Sequence, residues 1–260
     1  MSWEQLPIIS LLSVIFWLCG IFFAFKGKRP GTAVILSAIG TAIFLVFIIS
    51  MWISLGRPPM RTMGETRLWY SLFLSIIGIL LYARFKYHWL LAFSILMAVV
   101  FIGVNIFKPE IHDRAIMPAL QSAWFVPHVI VYMMAYALLG ANVVFVLYLW
   151  FRPKKHVITP QELGLCDTLI RIGWAFLTLG MVMGALWAKQ AWGDYWSWDP
   201  KETWAAATWF SYLLYLHLRQ RVKDTDVLFA VSILSFLLLQ MCWWGINYLP
   251  SAQGMSVHTY

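Results

Sequence analysis

Apolar runs long enough to cross a bilayer recur along the whole chain, and that one feature excludes nearly every water-soluble fold. A spanning helix needs about 20 mostly apolar residues. Runs of that order fall near residues 7–25, 32–53, 68–83, 89–107, 128–151, 169–188, 203–218 and 227–246. With 62% hydrophobic and 12% charged residues, the composition agrees. The expected class is all-α: a polytopic integral membrane protein with about eight transmembrane helices, two of them short, in a single membrane domain. Residues 1–120 would hold the first four helices and a loop, and 121–260 the other four. The first run has no basic residue before it and no small-residue cleavage site before the basic turn that follows, so it reads as a retained helix.

Alternating the loops separates the charges. Lys26, Lys28, Arg29, Arg84, Lys86, Arg152, Lys154, Lys155, Arg171, Arg219, Arg221 and Lys223 share one side with four acids, Glu162, Asp167, Asp224 and Asp226. The other side balances seven basic with seven acidic residues, so the formal +8 lies on the first side. By the positive-inside rule that side is cytoplasmic and both termini are outside. The charge therefore reports topology and gives no reason to expect a nucleic-acid partner. The three cysteines, Cys19, Cys166 and Cys242, form no C-x-x-C, which argues against a thiol oxidoreductase, and no C-x-x-C-H is present for covalent haem attachment. The longest cytoplasmic loop is expected over about residues 152–168, and Cys166 falls in it.

Between the sixth and seventh runs, on the outer side, lies WAKQAWGDYWSWDPKETW, residues 187–204, with five of the chain's sixteen tryptophans. Trp192, Trp196 and Trp198 crowd beside Tyr195 and Asp199, with Trp204 following. Several ring faces at a water boundary suit a flat, apolar ligand; an aromatic belt at headgroup level is the plainer reading. Asp199-Pro200-Lys201-Glu202 has the pattern of a helix start, with an acidic cap, proline at the first position and glutamate at the third, so Asp199 and Glu202 have a structural role before any ligand is invoked. Gly180 and Gly184, four apart, read as a helix-packing seam.

Three histidines stand out. His128 follows Pro127 at the outer start of the fifth run, where it is either a ligand or an interfacial residue with a polar tip. His258 lies in the tail after the last run. His217 sits at the inner end of the seventh run, where an ionisable group is functional by default or snorkels beside Arg219. His88, His112 and His156 read as solvated loop residues.

The stretch WGDYWSWDPKETWAAATW resembles the WWD signature of haem-handling proteins of cytochrome c biogenesis, and specifically the CcsA (ResC) family of system II. The resemblance covers about Gln121 to Tyr260, while the first four runs match mainly in arrangement. It implies an outward-facing tryptophan platform for haem b between helices six and seven, on the periplasmic side, made by Trp192, Trp196, Trp198 and Asp199 with Tyr195, Trp204 and Glu202 second. It implies His128 and His258 as ligands of the haem iron on that side. His217, in YLLYLH, matches the family's membrane haem ligand. SLGRPPMRTMGETRLWYS is similar to the family's G-R-x-P loop, in which Arg57 is functional or shapes the loop.

The implied activity is that of a holocytochrome c synthase subunit, which holds haem while C-x-x-C-H thiols of apocytochrome c add to it. The implied partners are a ResB/CcsB-like membrane subunit, apocytochrome c and a thiol-reducing biogenesis protein. The implied location is the bacterial cytoplasmic membrane, or the thylakoid membrane for a photosynthetic source. A haem exporter or delivery protein of the CcmC type is the alternative. A b-type electron carrier, which would need facing histidine pairs inside the bundle, and a structural aromatic collar fit less well.

Overall fold

The computed structural model describes residues 2–27, 29–60, 62–112, 122–153, 157–243 and 248–249. His258 and His156 lie outside the described residues. Eight α-helices are present among them: α1 (Leu6–Lys26), α2 (Pro30–Leu55), α3 (Met63–Phe85), α4 (His88–Phe107), α5 (Phe125–Phe151), α6 (Pro160–Trp192), α7 (Pro200–Arg221) and α8 (Thr225–Trp243). Seven are long and apolar enough to cross a membrane, and the protein is a helical membrane protein on that ground. The exception is α7, whose middle holds Trp204, Thr208, Trp209, Ser211, Tyr212 and Tyr215 where its neighbours have aliphatic residues. Large apolar side chains point away from the packed interior; Ile8, Leu11, Leu12, Ile15, Leu18, Phe22 and Phe25 of α1 are all exposed, an arrangement suited to lipid and costly in water.

The chain forms two compact units, Met1–Ile116 and Met117–Tyr260. In the first, α1 packs on α2 and α4, and α3 on α2 and α4. Its helices start and stop where local chemistry dictates. Pro30 opens α2, left-handed Gly27 and Gly56 close α1 and α2, and a Thr62–Glu65 capping box opens α3. Glu65 also forms a two-bond pair with Arg57 at 2.9 Å for each bond, and Arg57 donates to the Pro58 carbonyl at 3.1 Å, so Arg57 shapes the turn between α2 and α3. Inside the unit the indole N–H of Trp17 donates to Thr41 Oγ1 at 3.0 Å, which satisfies a group that lipid could not.

In the second unit α5 packs on α6 and α8, and α7 on α6 and α8. The cytoplasmic loop expected over 152–168 is shorter than its sequence suggests. A capping box of Thr159 and Glu162, with Pro160 at the first position, starts α6 at residue 160. Cys166 and Asp167 are therefore buried on a helix, and Cys166 is a free thiol there. Paired charges hold that end: Arg152 donates to both Glu162 carboxylate oxygens at 2.6 and 3.0 Å, and Arg219 to both oxygens of Asp167 at 3.0 Å, with Tyr215 adding a bond to Asp167 at 3.1 Å.

Three glycines let α5 and α6 approach closely. A Cβ at Gly173 would meet Leu139 at 2.6 Å, one at Gly180 would meet Tyr132 at 2.6 Å, and one at Gly184 would meet His128 at 2.8 Å. Rising along α6 and descending along α5, the three pairs keep one antiparallel register.

Candidate functional site: an imidazole in an aromatic cleft

The seam delivers His128 into an open, mostly apolar cleft within the second unit. Tyr132, Tyr136, Met181, Gly184, Trp187, Trp196, Lys201, Glu202, Cys242 and Trp243 belong to its lining. The imidazole lies over Gly184, with its ring centroid 4.7 Å from that of Tyr132 and 5.5 Å from that of Trp187. Its Nδ1 is 2.8 Å from the carbonyl oxygen of Gly180. A carbonyl only accepts, so Nδ1 carries the proton and Nε2 is the basic nitrogen. This is the tautomer that a metal-binding histidine needs, set by a backbone group of the adjacent helix.

The loop after α6 is built from the same short sequence that ends one helix and starts the next. Trp192 is the last residue of α6, and Gly193 closes the helix in the left-handed region at φ 95°. Asp199 caps α7 by accepting the Lys201 N–H at 2.9 Å, and Glu202 Oε2 accepts from the backbone of Ser197 at 2.8 Å, of Asp199 at 3.1 Å and from Ser197 Oγ at 3.3 Å. Both acids are buried, at 5% and 9% exposure, and both brace the loop.

Trp198 has φ 57°, a left-handed conformation that costs a bulky L-residue about 1–3 kcal/mol. Thr203 Oγ1 holds the Trp198 carbonyl at 3.1 Å, and the Asp199–Glu202 box fixes the next residue. The strain sets its ring, 68% exposed, edge-on to Trp196 at 5.7 Å between centroids.

The aromatic residues fall into two groups. Trp196 lines the cleft, and its indole N–H is buried without a hydrogen-bond partner, a donor suited to an acceptor on a ligand. Trp192 stacks obliquely on Trp187 at 4.9 Å, behind the lining. Tyr195 is exposed under the Lys189 ammonium, 5.3 Å from its ring centroid, and Trp204 is half-buried on α7; neither belongs to the lining.

Trp187, Lys201 and Cys242 are among the lining residues that escape a reading by motif alone. The first was legible, since Gly180, Gly184 and Trp187 share one helical face by their spacing. Cys242 donates its S–H to the Lys201 carbonyl at 3.5 Å.

His217 stands apart. It is exposed on α7, and its Nδ1 donates to the Leu213 carbonyl at 2.9 Å, which again leaves Nε2 as the basic nitrogen. Sixteen residues separate it from Lys201, about 24 Å of helix. The two imidazoles therefore lie at different ends of the unit.

An imidazole of fixed tautomer in an aromatic cleft, at one end of a membrane-type helical unit, defines the class: a polytopic membrane protein with an aromatic cleft between its helices. The chain belongs to the CcsA family of cytochrome c biogenesis. The family described as Cytochrome C assembly protein matches residues 60–252. The chain is 32% identical over 268 residues to the cytochrome c biogenesis protein CcsA of Phalaenopsis aphrodite subsp. formosana, with 82% of each chain covered. Against CcsA of Trieres chinensis it is 30% identical over 302 residues, covering 97% of this chain and 94% of the relative. CcsA of Chlamydomonas reinhardtii is 29% identical over 243 residues, covering 87% and 67%.

Proposed function

We propose that this chain is the haem-holding subunit of a holocytochrome c synthase, with the cleft facing the outer side of the membrane. The observation that carries the reading is the bond from His128 Nδ1 to the Gly180 carbonyl inside an aromatic cleft. The lining fits haem: a basic Nε2 suits the iron, the indole and phenol rings suit a flat porphyrin, and the Trp196 N–H has need of an acceptor.

His128 and, as the family resemblance implies, His258 would hold the haem iron, and two imidazoles there would leave no open position for oxygen. Trp196 and Trp187 line the place of the porphyrin, and Trp198, Trp192, Tyr195 and Trp204 form the surrounding platform. Asp199 and Glu202 keep that platform in place from behind. Haem supplies two vinyl groups, across which the thiols of an apocytochrome C-x-x-C-H add to form thioethers. The chain's part is positional: holding the acceptor edge in register removes much of the entropic barrier. At the inner end, the exposed His217 presents Nε2 outward from its unit, where a histidine of a ResB/CcsB-like subunit completes a second haem site.

The test is product formation. The protein with its membrane partner, given haem and an apocytochrome peptide under reducing conditions, should yield haem that resists acid extraction, and His128→Ala should abolish the yield. Loaded wild-type protein that releases all its haem to acid would instead mark a delivery protein.

A further inference from the structure

Beyond the cleft, α7 turns a polar face into the interior of the second unit. Thr208, Tyr212 and Tyr215 follow one another at spacings of four and three, which places them on one side of the helix, and all three are buried. Two of them are satisfied: Thr208 Oγ1 donates to the Trp204 carbonyl at 2.8 Å, and the Tyr215 hydroxyl to Asp167 at 3.1 Å. Tyr212, between them, is 0% exposed, and its hydroxyl has no hydrogen-bond partner among the described residues. A phenol sealed in this way costs free energy, because neither lipid nor apolar packing replaces the bond it makes in water.

A second orphan belongs to the same interior. Asn142 on α5 is also 0% exposed; its Nδ2 donates to Ser232 Oγ on α8 at 2.8 Å, and its Oδ1 has no partner among the described residues. Turning the amide over would exchange its two ends and still leave one of them unbonded. The two orphans lie at a similar depth. Ser211 and Ser235 meet at 2.6 Å and mark one level on the antiparallel α7 and α8. From that level Tyr212 lies about 1.5 Å, and Ser232 about 4.5 Å, further from the cleft by helical rise. Both α5 and α7 pack on α6 and α8, so they occupy opposite corners of the unit and turn their buried faces toward the same middle.

We propose that Tyr212 and Asn142 together hold an internal water at the centre of the second unit, with Ser232 as its third partner. A water both donates and accepts, so one molecule serves the phenol and the amide, and buried waters make about three such bonds. The bridge ties α5, α7 and α8 together across the diagonal of the unit. It also gives the polar face of α7, the one helix not apolar enough to count as a span, a reason: that face meets bound water and its polar partners instead of lipid. The site is separate from the cleft and does not depend on the haem reading.

X-ray hydroxyl-radical footprinting of the full chain in detergent, read by mass spectrometry, tests it, because radiolysis of a bound internal water oxidises the side chain beside it where bulk solvent does not reach. Phe145 and Phe229, both 0% exposed in the same unit, are the dry controls, and the exposed Tyr195 is the positive one. In wild type Tyr212 should be oxidised severalfold faster than either phenylalanine. Asn142→Leu, which puts an apolar group of similar size in place of the amide, should remove most of that labelling and leave Tyr195 unchanged. Tyr212 as inert as the phenylalanines overturns the water site, and that comparison needs no variant. Labelling undiminished in Asn142→Leu overturns the shared bridge. Should leucine prevent folding, Asn142→Met takes its place with the same two readings.

Discussion

The Nδ1 of His128 donates to the carbonyl of Gly180 at 2.8 Å, and the same imidazole lies over Gly184 one turn further along α6. One helix therefore fixes both the tautomer and the plane of a residue on another, and the missing Cβ at position 184 is part of the geometry.

Gly184→Ala should displace the imidazole, because the new Cβ would stand 2.8 Å from His128 Cε1 and 2.9 Å from Nδ1. Overpacking of this kind costs about 1–3 kcal/mol. The expected result is a weakened low-spin haem spectrum that added imidazole restores. Gly164→Ala on the same helix, where a Cβ meets nothing within 4 Å, should leave the spectrum unchanged.

Trp198→Gly and Trp198→Ala remove the same ring, but only glycine relieves the φ of 57°. Thermal unfolding in detergent should show the glycine variant more stable than the alanine variant by about 1–2 kcal/mol, while both retain haem equally poorly. Equal stabilities would show that the backbone there is unstrained.

Glu202→Gln removes a carboxylate that gathers three donors from Ser197 and Asp199. Loss of charge-assisted bonds of this kind costs about 1–3 kcal/mol. Amide exchange read by mass spectrometry should accelerate over residues 196–199 and remain unchanged within α5.

The helix count was legible because apolar runs of spanning length have few alternatives, and the α7 start was legible because Asp-Pro-Lys-Glu satisfies orphan N–H groups in a known way. The start of α6 was written just as plainly in Thr159-Pro160-Gln161-Glu162, but it precedes the apolar run, so hydropathy alone placed a loop there. Gly180 and Gly184 read as a packing seam, and they are one; that the seam exists to seat His128 depends on which α5 residues face it, a matter of register between helices. Lys201 was hidden for the opposite reason. Inside a capping motif it looked like the least informative member, and only the folded cleft shows it in the lining.

Along α7, His217 lies about 24 Å from Lys201, too far for direct coupling to the cleft. Effects of His217→Ala and Gly184→Ala on total bound haem in the partner complex should therefore add within about 0.5 kcal/mol, as separate sites do. A larger coupling, read from a double-mutant cycle, would mean that both ends handle one haem together.

The most direct measurement is the pair of oxidised and reduced visible spectra of the protein with its partner in detergent, for wild type, His128→Ala and His258→Ala, with and without imidazole. The account predicts a low-spin haem signal weakened by each substitution and restored by imidazole. Wild-type protein without haem, or spectra indifferent to both changes, would contradict it and leave the tryptophan loop as an aromatic belt.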